Sequence, residues 1–438
     1  MGGAMHTEVT QDPSDGFRRL PPDSPDATPE FDVRIVLEPQ DGGRIWAFMC
    51  GSGVPARGDG EILATLQVSA DAVRDAASSL VGAWRGFVDH EPETDGPPQR
   101  GRALPFATRV DLTEEPAGEL LGRVRTLVSH GQYVLFSVLL GGDDPATTFF
   151  REQVVQVLAH EGRRVRFVSR NLFLPWPMLC LRPGDLPPDG DRRDTLPSIF
   201  ELFLGYRHRI EHTGDAHPEV SACPDRDRHE PAVSINHDVR VGRDLSTVKE
   251  VVQALRTSAS FKERTSVGRL TADLRERHFD DDLMYFWCHG RYERNGVGPA
   301  QFVIRLSDGD DFGGHQFAAV RAEHGKQGCF EPFVLLNACH GGDAAVDASR
   351  VFLGQMLIKH GARGVLGPHI DMPYQFAAEF ALEFLTRYLR GGEADTAGRI
   401  IHGLARDFAK NRYNPLGFAY GLHSGMDARI RRVQEDTA

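Results

Sequence analysis

The sequence predicts an α/β fold with a mainly parallel sheet and helices on both of its faces, preceded by a smaller α+β region. Two apolar runs carry this prediction: LMYFWCHG, which ends at Gly290, and EPFVLLNACHGG, from Glu331 to Gly342. Uninterrupted apolar runs bounded by turn signals are typical of parallel strands buried on both faces. Such strands alternate with helical patterns throughout the second half of the chain, as they do in covered parallel sheets.

The first 130 residues contain a tail and a small α+β region. Residues 1–30 are polar and rich in Pro and Asp, so we expect a disordered tail. Residues 31–130 form the predicted N-terminal α+β region. In it, FDVRIVLEP and RIWAFMC are joined by QDGG, which predicts a hairpin, and ILATLQVSA predicts a third strand. A helix is expected from about Ala70 to Val88.

The rest of the chain divides into two α/β halves. A helical stretch is expected from about residue 115 to residue 161, and the first half, residues 131–230, ends in the polar linker HTGDAHPEVSACPDRDRHEP. The second half, residues 231–438, is the predicted catalytic half. Its strands are AVSINHD, the two apolar runs, the hairpin QFVIRLSDGDDFGG and GVLGPHI, and its tail is expected to be rich in helix.

Composition limits the functional classes. The 438 residues are enough for two or three domains, and the net charge of -12 with a pI near 5.8 argues against nucleic acid and membrane as partners. Six cysteines without a framework spacing suggest reduced thiols. The N-terminus lacks a basic and apolar leader pattern, and no stretch is long enough to span a membrane, so a cytoplasmic location is expected. No nucleotide-binding motif is present, and no cofactor is expected.

Each apolar run ends with a potentially reactive side chain, His289 in the first and Cys339 in the second. In open α/β sheets the site lies outside the carboxyl ends of the strands, so both residues should reach the same edge of the sheet. His289 precedes Cys339 by 50 residues, which is close to the caspase spacing. The pattern predicts a thiol nucleophile, Cys339, with His289 as its base. The alternative for Cys339 alone is a buried structural thiol.

Two adjacent pairs, Cys288–His289 and Cys339–His340, also raise the question of a zinc site. Neighbours on a strand point to opposite faces, so each pair can offer only one ligand to a common ion. No C-x-x-C or H-x-x-x-H spacing is present either. We therefore expect no metal, and we expect Cys288 to pack into the other face of the sheet.

These segments resemble the CHAT family of bacterial caspase-like proteins, which share a peptidase fold with caspases, metacaspases and separase. The matching segments are His289–Gly290 after an apolar strand, LLNACHGG, MLIKHGARGVLG from Met356 to Gly367, LFLPWPMLCL from Leu172 to Leu181, and GQYVLFSVLL from Gly131 to Leu140. The resemblance implies a caspase-like cysteine endopeptidase. It also implies a role in bacterial immunity or programmed cell death, in which a specific protein partner is cut. The alternative is a catalytically silent CHAT-fold sensor or scaffold that binds a partner.

Further site residues are predicted around the dyad. The backbone N–H groups of Gly290 and Cys339 are the candidates for the oxyanion hole. Asn337 should lie on the same face of its strand as Cys339 and reach the substrate pocket, where metacaspases resemble this segment but carry Asp. Asn at this position predicts no strong need for Arg or Lys before the scissile bond. The alternative is that Asn337 only satisfies backbone groups, while Asp343 or Asp347 lines the pocket.

A cytoplasmic endopeptidase needs control, which suggests an activating protein partner besides the protein substrate. Two segments near the predicted site, QFVIRLSDGDDFGGHQ and PHIDMPYQ, are polar or long. We expect them to become ordered only when a partner or a substrate binds, as switch segments do.

Overall fold

The computed structural model describes most of the chain beyond the N-terminal tail. The described residues are 31–55, 62–91, 104–170, 172–187, 195–214, 230–257, 260–293, 301–323, 329–340, 348–392 and 394–430. The predicted tail, and residues 215–229 of the predicted linker, lie outside these ranges.

The described part of the chain contains the following strands and helices, numbered in chain order. The strands are β1 Val33–Gln40, β2 Arg44–Cys50, β3 Ile62–Leu66, β4 Arg164–Val168, β5 Arg209–Thr213, β6 Ala232–His237, β7 Ser260–Arg264, β8 Leu283–Glu293, β9 Gln301–Arg305, β10 Asp311–Gly313, β11 Phe333–His340, β12 Gly364–Pro368 and β13 Tyr420–His423. The α-helices are α1 Ala70–Val88, α2 Pro105–Thr108, α3 Ala117–Gln132, α4 Pro145–Leu158, α5 Leu196–Phe200, α6 Leu204–Arg207, α7 Ser246–Arg256, α8 Val267–Leu274, α9 Gly314–Ala322, α10 Ala348–Lys359, α11 Tyr374–Tyr388 and α12 Ala397–Arg412.

All of these strands belong to one sheet, in the order β10-β9-β8-β11-β12-β13-β5-β4-β1-β2-β3, and β6 and β7 branch from β8. The central pairs β6–β8, β8–β11 and β11–β12 are parallel, as are β13–β5, β5–β4 and β4–β1. Antiparallel pairs occur at both ends of the sheet and between β12 and β13. The prediction of a mainly parallel sheet is confirmed.

Both faces of the central strands are buried. On one face Tyr285, Trp287 and Leu335 pack with residues of α11 and α12 in the larger core. On the other face Met284 and Phe286 pack with residues of α8, α9 and α10 in a second core. This explains why the two apolar runs show no alternation with polar residues, since each side chain enters one of two cores. Helices cover both faces, as the sequence predicts.

The N-terminal elements match the prediction closely. β1 and β2 form the antiparallel hairpin, in which Gln40 pairs with Arg44, and β3 adds the third strand. α1 spans the predicted residues, and its first turn is capped by the Ser69 side chain, which accepts a hydrogen bond from the N–H of Ala72. The hairpin turn uses two glycines with positive φ, Gly42 and Gly43.

The stretch of residues 115–161 is helical, as expected, and it is divided into two pieces. α3 continues as a π-helical segment over Tyr133–Leu139, and α4 starts afresh at Pro145. The break follows from local chemistry. Asp144 caps α4 by accepting from the N–H of Thr147, and Pro145 fits the first helical turn but would disrupt a helix interior.

One strand was not predicted, and two further expectations need correction. The helix-rich tail also contains β13, which pairs with β12 and with β5. The two segments expected to order only with a partner are folded, since they form β9, β10 and the start of α9, and the lead into α11. Cys329 is disulfide-bonded, so the prediction of reduced thiols is wrong there, whereas Cys50, Cys180 and Cys288 are thiols.

Residues 31–438 form one compact unit. The single sheet contains strands from all three predicted regions beyond the tail. The boundaries between these regions therefore remain a prediction. Among the helices of the described ranges, none has the length and apolarity that crossing a bilayer requires.

Candidate active site

The two predicted catalytic residues lie opposite each other on neighbouring strands. In the parallel pair of β8 and β11, Cys339 is the register partner of His289, and Ala338 is the partner of Cys288. Neighbouring strands are about 4.8 Å apart. Two residues that are 50 positions apart in the sequence are therefore side by side, at the centre of the sheet.

Both residues lie beyond the ends of the flanking parallel strands. β6 pairs with β8 only as far as His237, which is opposite Trp287. The pairing of β11 with β12 ends at Leu335 and Leu366. Beyond these points β8 continues beside β9, where His289 is paired with Arg305. A crevice at the carboxyl ends of parallel strands is the usual place for a site in an open α/β sheet.

The imidazole of His289 is exposed and lies beside an aromatic ring. Tyr374, the first residue of α11, has its ring centroid 6.4 Å from that of His289, and the rings meet edge to face. Tyr374 also packs edge to face on Trp287, at 6.2 Å. His289 is thus accessible to a ligand, with an aromatic wall on one side.

Asp238 is a further polar residue of this edge that the sequence analysis did not single out. It follows β6 directly, and its N–H donates to the Trp287 carbonyl at 3.0 Å. Its buried carboxylate accepts two hydrogen bonds from the Arg240 guanidinium, each 2.8 Å long. These bonds hold the pKa of Asp238 below its ordinary value, and the nearby His289 contributes in the same direction. The sequence contains a signal that could have identified it. Asp238 ends the predicted strand AVSINHD, and His289 was selected because it also lies at the end of a strand.

Cys288 has the structural role that was predicted for it. Its side chain is fully buried in the second core, on the face opposite that of Trp287. Within the described part of the chain, His, Cys, Asp and Glu side chains do not form any group of three that is placed to hold a metal ion.

Gly290 is required for packing, independently of any catalytic role. A Cβ atom at this position would lie 2.5 Å from the ring of Phe302, which belongs to the second core. Such a contact is far inside the van der Waals distance, so any larger residue would displace Phe302. The oxyanion role of the Gly290 and Cys339 N–H groups stays a prediction. Residues 341–347, which include Asp343 and Asp347, lie outside the described residues.

Asn337 is engaged inside the protein. Its side chain is buried, its Oδ1 accepts a hydrogen bond of 2.8 Å from the Tyr420 hydroxyl, and its Nδ2 donates to the Ala377 carbonyl at 3.1 Å. This geometry matches the alternative that the sequence left open, in which Asn337 satisfies internal groups. A substrate could reach the amide only if these two bonds were broken. The pocket role therefore remains an untested prediction without geometric support.

The buried amide changes the expected effect of Asn337→Asp. A carboxylate can still accept from Tyr420, but it repels the Ala377 carbonyl that the amide now satisfies. We expect a loss of at least about 1–3 kcal/mol in the free energy of unfolding at pH 8. The difference from the unmodified protein should shrink at pH 5, because a protonated carboxyl can donate to Ala377. Urea unfolding at both pH values measures this. Unchanged stability, with a new preference for Arg or Lys, would instead support the pocket role.

Comparison with known proteins gives one curated relative. No family model matches the chain. A protein named a probable protease, from Vitiosangium sp. (strain GDMCC 1.1324), is 25% identical over 246 residues, which are 54% of this chain and 31% of that protein. The chain thus spans about a third of the length of this relative.

Solved structures give weaker likenesses. The chain is similar to the separase–securin complex of Saccharomyces cerevisiae, with a TM-score of 0.42 and 11% identity over 90% of this chain and 30% of that one. It is also similar to the Arg-specific cysteine proteinase gingipain R, with a TM-score of 0.40 and 11% identity over 72% of this chain and 77% of that one.

Proposed function

We propose that the protein is a cysteine endopeptidase in which Cys339 is the nucleophile and His289 is its general base. The observation that carries the proposal is the register of β8 and β11, which makes these residues direct partners at the carboxyl edge of the sheet. A nucleophile and its base must come within hydrogen-bond reach, and adjacent strand positions bring their backbones close enough to allow it. The name of the bacterial relative, a probable protease, agrees with this chemistry.

The reaction needs only these two side chains and backbone donors. His289 accepts the proton of the Cys339 thiol, and the thiolate attacks the carbonyl carbon of the scissile peptide. When the C–N bond breaks, the imidazolium returns the proton to the leaving amine. Water, activated by His289, then hydrolyses the thioester and releases the acid product and the thiol. The N–H groups of Gly290 and Cys339 are our candidates for binding the oxyanion.

Asp238 is an acidic neighbour of the proposed base. Its carboxylate interacts electrostatically with His289 and is itself kept ionised by Arg240. Asp238 is 1% exposed, so this charge is not fully screened by water.

The substrate that we propose is a protein, cut at a specific site. The resemblance to the CHAT family favours a partner in bacterial immunity or programmed cell death, and an activating protein that controls the cleavage. The silent sensor or scaffold differs from this proposal in one measurable property, the reactivity of Cys339.

Thiol alkylation at pH 6 tests the proposal without a known substrate. Ordinary thiols, with a pKa near 8.5, are almost fully protonated at this pH, whereas a thiol paired with imidazolium is not. We expect iodoacetamide to label Cys339 at least about tenfold faster than Cys50, whose side chain is half-buried. Buried Cys288 should stay unlabelled, and His289→Ala should remove the difference. Peptide mapping by mass spectrometry that shows Cys50 labelled before Cys339 would contradict the proposal.

A further inference from the structure

The imidazole of His289 is not oriented by a hydrogen bond from any described residue. Its aromatic neighbour is the ring of Tyr374, which meets it edge to face with an angle of 78° between the planes. In cysteine and serine peptidases a third group commonly orients the base by accepting a hydrogen bond from it. The interaction of Asp238 with His289 is electrostatic, and the Asp238 oxygens accept hydrogen bonds from Arg240.

The Tyr374 ring packs on the Trp287 side chain, which is itself held rigidly. It packs on Trp287, which is 1% exposed and whose Nε1 donates to the Val241 carbonyl at 2.9 Å. Gly242, with φ of +58°, leaves space for the Trp287 ring, since a Cβ there would lie 3.1 Å from that ring. The indole is therefore fixed by a hydrogen bond and by close packing, and it forms a platform under Tyr374.

The segment before Tyr374 is anchored as well. Ile370 and Met372 are buried, and between them Asp371 is 3.4 Å from the Arg85 guanidinium of α1. Pro373 then restricts the backbone directly before the first residue of α11. Tyr374 is thus presented by a segment with two buried anchors and an ion pair, although its ring is 40% exposed.

We infer that Tyr374 is the positioning residue of the catalytic base, and that its ring confines the His289 imidazole to the orientation that faces Cys339. The inference rests on the proposed function. It assigns the orienting role of a third catalytic-triad member to the ring of Tyr374.

The ring and the hydroxyl of Tyr374 can be separated by substitution. Tyr374→Phe keeps the ring and should change the rate of Cys339 alkylation at pH 6 by less than about twofold. Tyr374→Ala removes the wall, so the imidazole samples other rotamers, and the rate should fall about three- to tenfold, the equivalent of one aromatic pair. The bell-shaped pH profile of cleavage should flatten in the same variant, and kcat should fall more than KM rises.

A matched control removes an exposed tyrosine elsewhere. Tyr133, at the start of the π-helical segment, is 52% exposed, and Tyr133→Ala should leave the alkylation rate and the pH profile unchanged. Circular dichroism melting curves of all variants verify that they are folded. A loss of melting temperature without a change in alkylation would identify Tyr374 as a structural residue and overturn the inference.

Two other outcomes also decide the matter. If Tyr374→Ala alkylates as fast as the unmodified protein, while His289→Ala does not, the positioning role is wrong and the proposed function stands. If Cys339 of the unmodified protein reacts no faster than Cys50 and is insensitive to His289→Ala, both the proposed function and the positioning role are wrong.

Discussion

Cys339→Ala and His289→Ala should each reduce kcat/KM for protein cleavage by about 10⁴-fold or more, and the double variant should lose little beyond either single one. In the proposed dyad the two side chains act in one proton-transfer unit, so removing the second after the first removes nothing further. Their register across β8 and β11 is the structural reason to treat them as a unit. The residual rate would come from substrate binding and from the backbone donors.

The measurement uses a peptide or protein that the unmodified chain cleaves, found by screening a proteome-derived library. Cys288→Ala is the control, because Cys288 is adjacent in sequence but buried in the second core. It should retain the cleavage rate and lose only a little stability. Multiplicative losses in the double variant would mean that the two residues act independently, which the proposed dyad does not allow. Full activity of Cys339→Ala would refute the cysteine mechanism.

Much of this site could be predicted because its signals are local. The runs that became β8 and β11 are apolar without alternation, and each ends near a glycine and a reactive side chain. The strand-end rule then brings His289 and Cys339 to one edge. No knowledge of which strands pair was needed beyond the expectation that consecutive parallel strands of one unit are neighbours.

Features that depend on distant pairing could not be predicted. β13 is four residues long and lies between β12 and β5, one antiparallel to it and the other parallel. A segment of that length has no periodicity of its own, and its partners are far away in sequence. The buried orientation of the Asn337 side chain could not be predicted for the same reason. Its partners Tyr420 and Ala377 are 83 and 40 positions away. Strand alternation gives the face on which Asn337 lies, but not whether a helix covers that face.

Acidification should destabilise the folded protein well above the pH at which its carboxylates are neutralised, because several histidines are buried in their neutral form. Burial lowers the pKa of His208 to about 3, and those of His402 and His423 to about 4. Burial also lowers the pKa of His212 well below its ordinary value, and the nearby His423 and His369 add to this. His212 and His423 have ring centroids 5.9 Å apart, so two positive charges there would repel each other.

His208 shows why protonation is costly. It is 1% exposed, its Nε2 lies 2.9 Å from the Leu158 carbonyl, to which it donates, and its Nδ1 is buried without a hydrogen-bond partner. A proton on Nδ1 would place a charge and an unsatisfied N–H in the core. His402 also donates through Nε2, to the Tyr206 carbonyl at 2.9 Å, but it and His423 are only half-buried. Contact with water therefore reduces the contribution of His402 and His423 to the loss of stability at low pH.

The sign of the pH dependence follows from the lowered pKa values. Between the folded pKa and the unfolded value of about 6.5, the unfolded chain binds more protons than the folded one, so stability falls as the pH falls. The loss begins below pH 6.5, and the contribution of His208 continues to about pH 3. His208 alone should cost about 2 kcal/mol at pH 5 relative to pH 8. With the other three histidines the loss becomes comparable with the whole stability of a typical domain, about 5–15 kcal/mol.

Urea unfolding at pH values from 8 to 4.5 measures this dependence. The free energy of unfolding should decline below pH 6.5, and His208→Gln should flatten the decline by up to about 1.4 kcal/mol per pH unit, the value for one proton. His160→Gln is the control, because His160 is exposed near the same end of α4 and should leave the slope unchanged. A stability that stays constant from pH 7 to pH 5 would mean that these histidines become protonated without unfolding. Water would then have to enter the region between β5 and β13, where His212 and His423 lie.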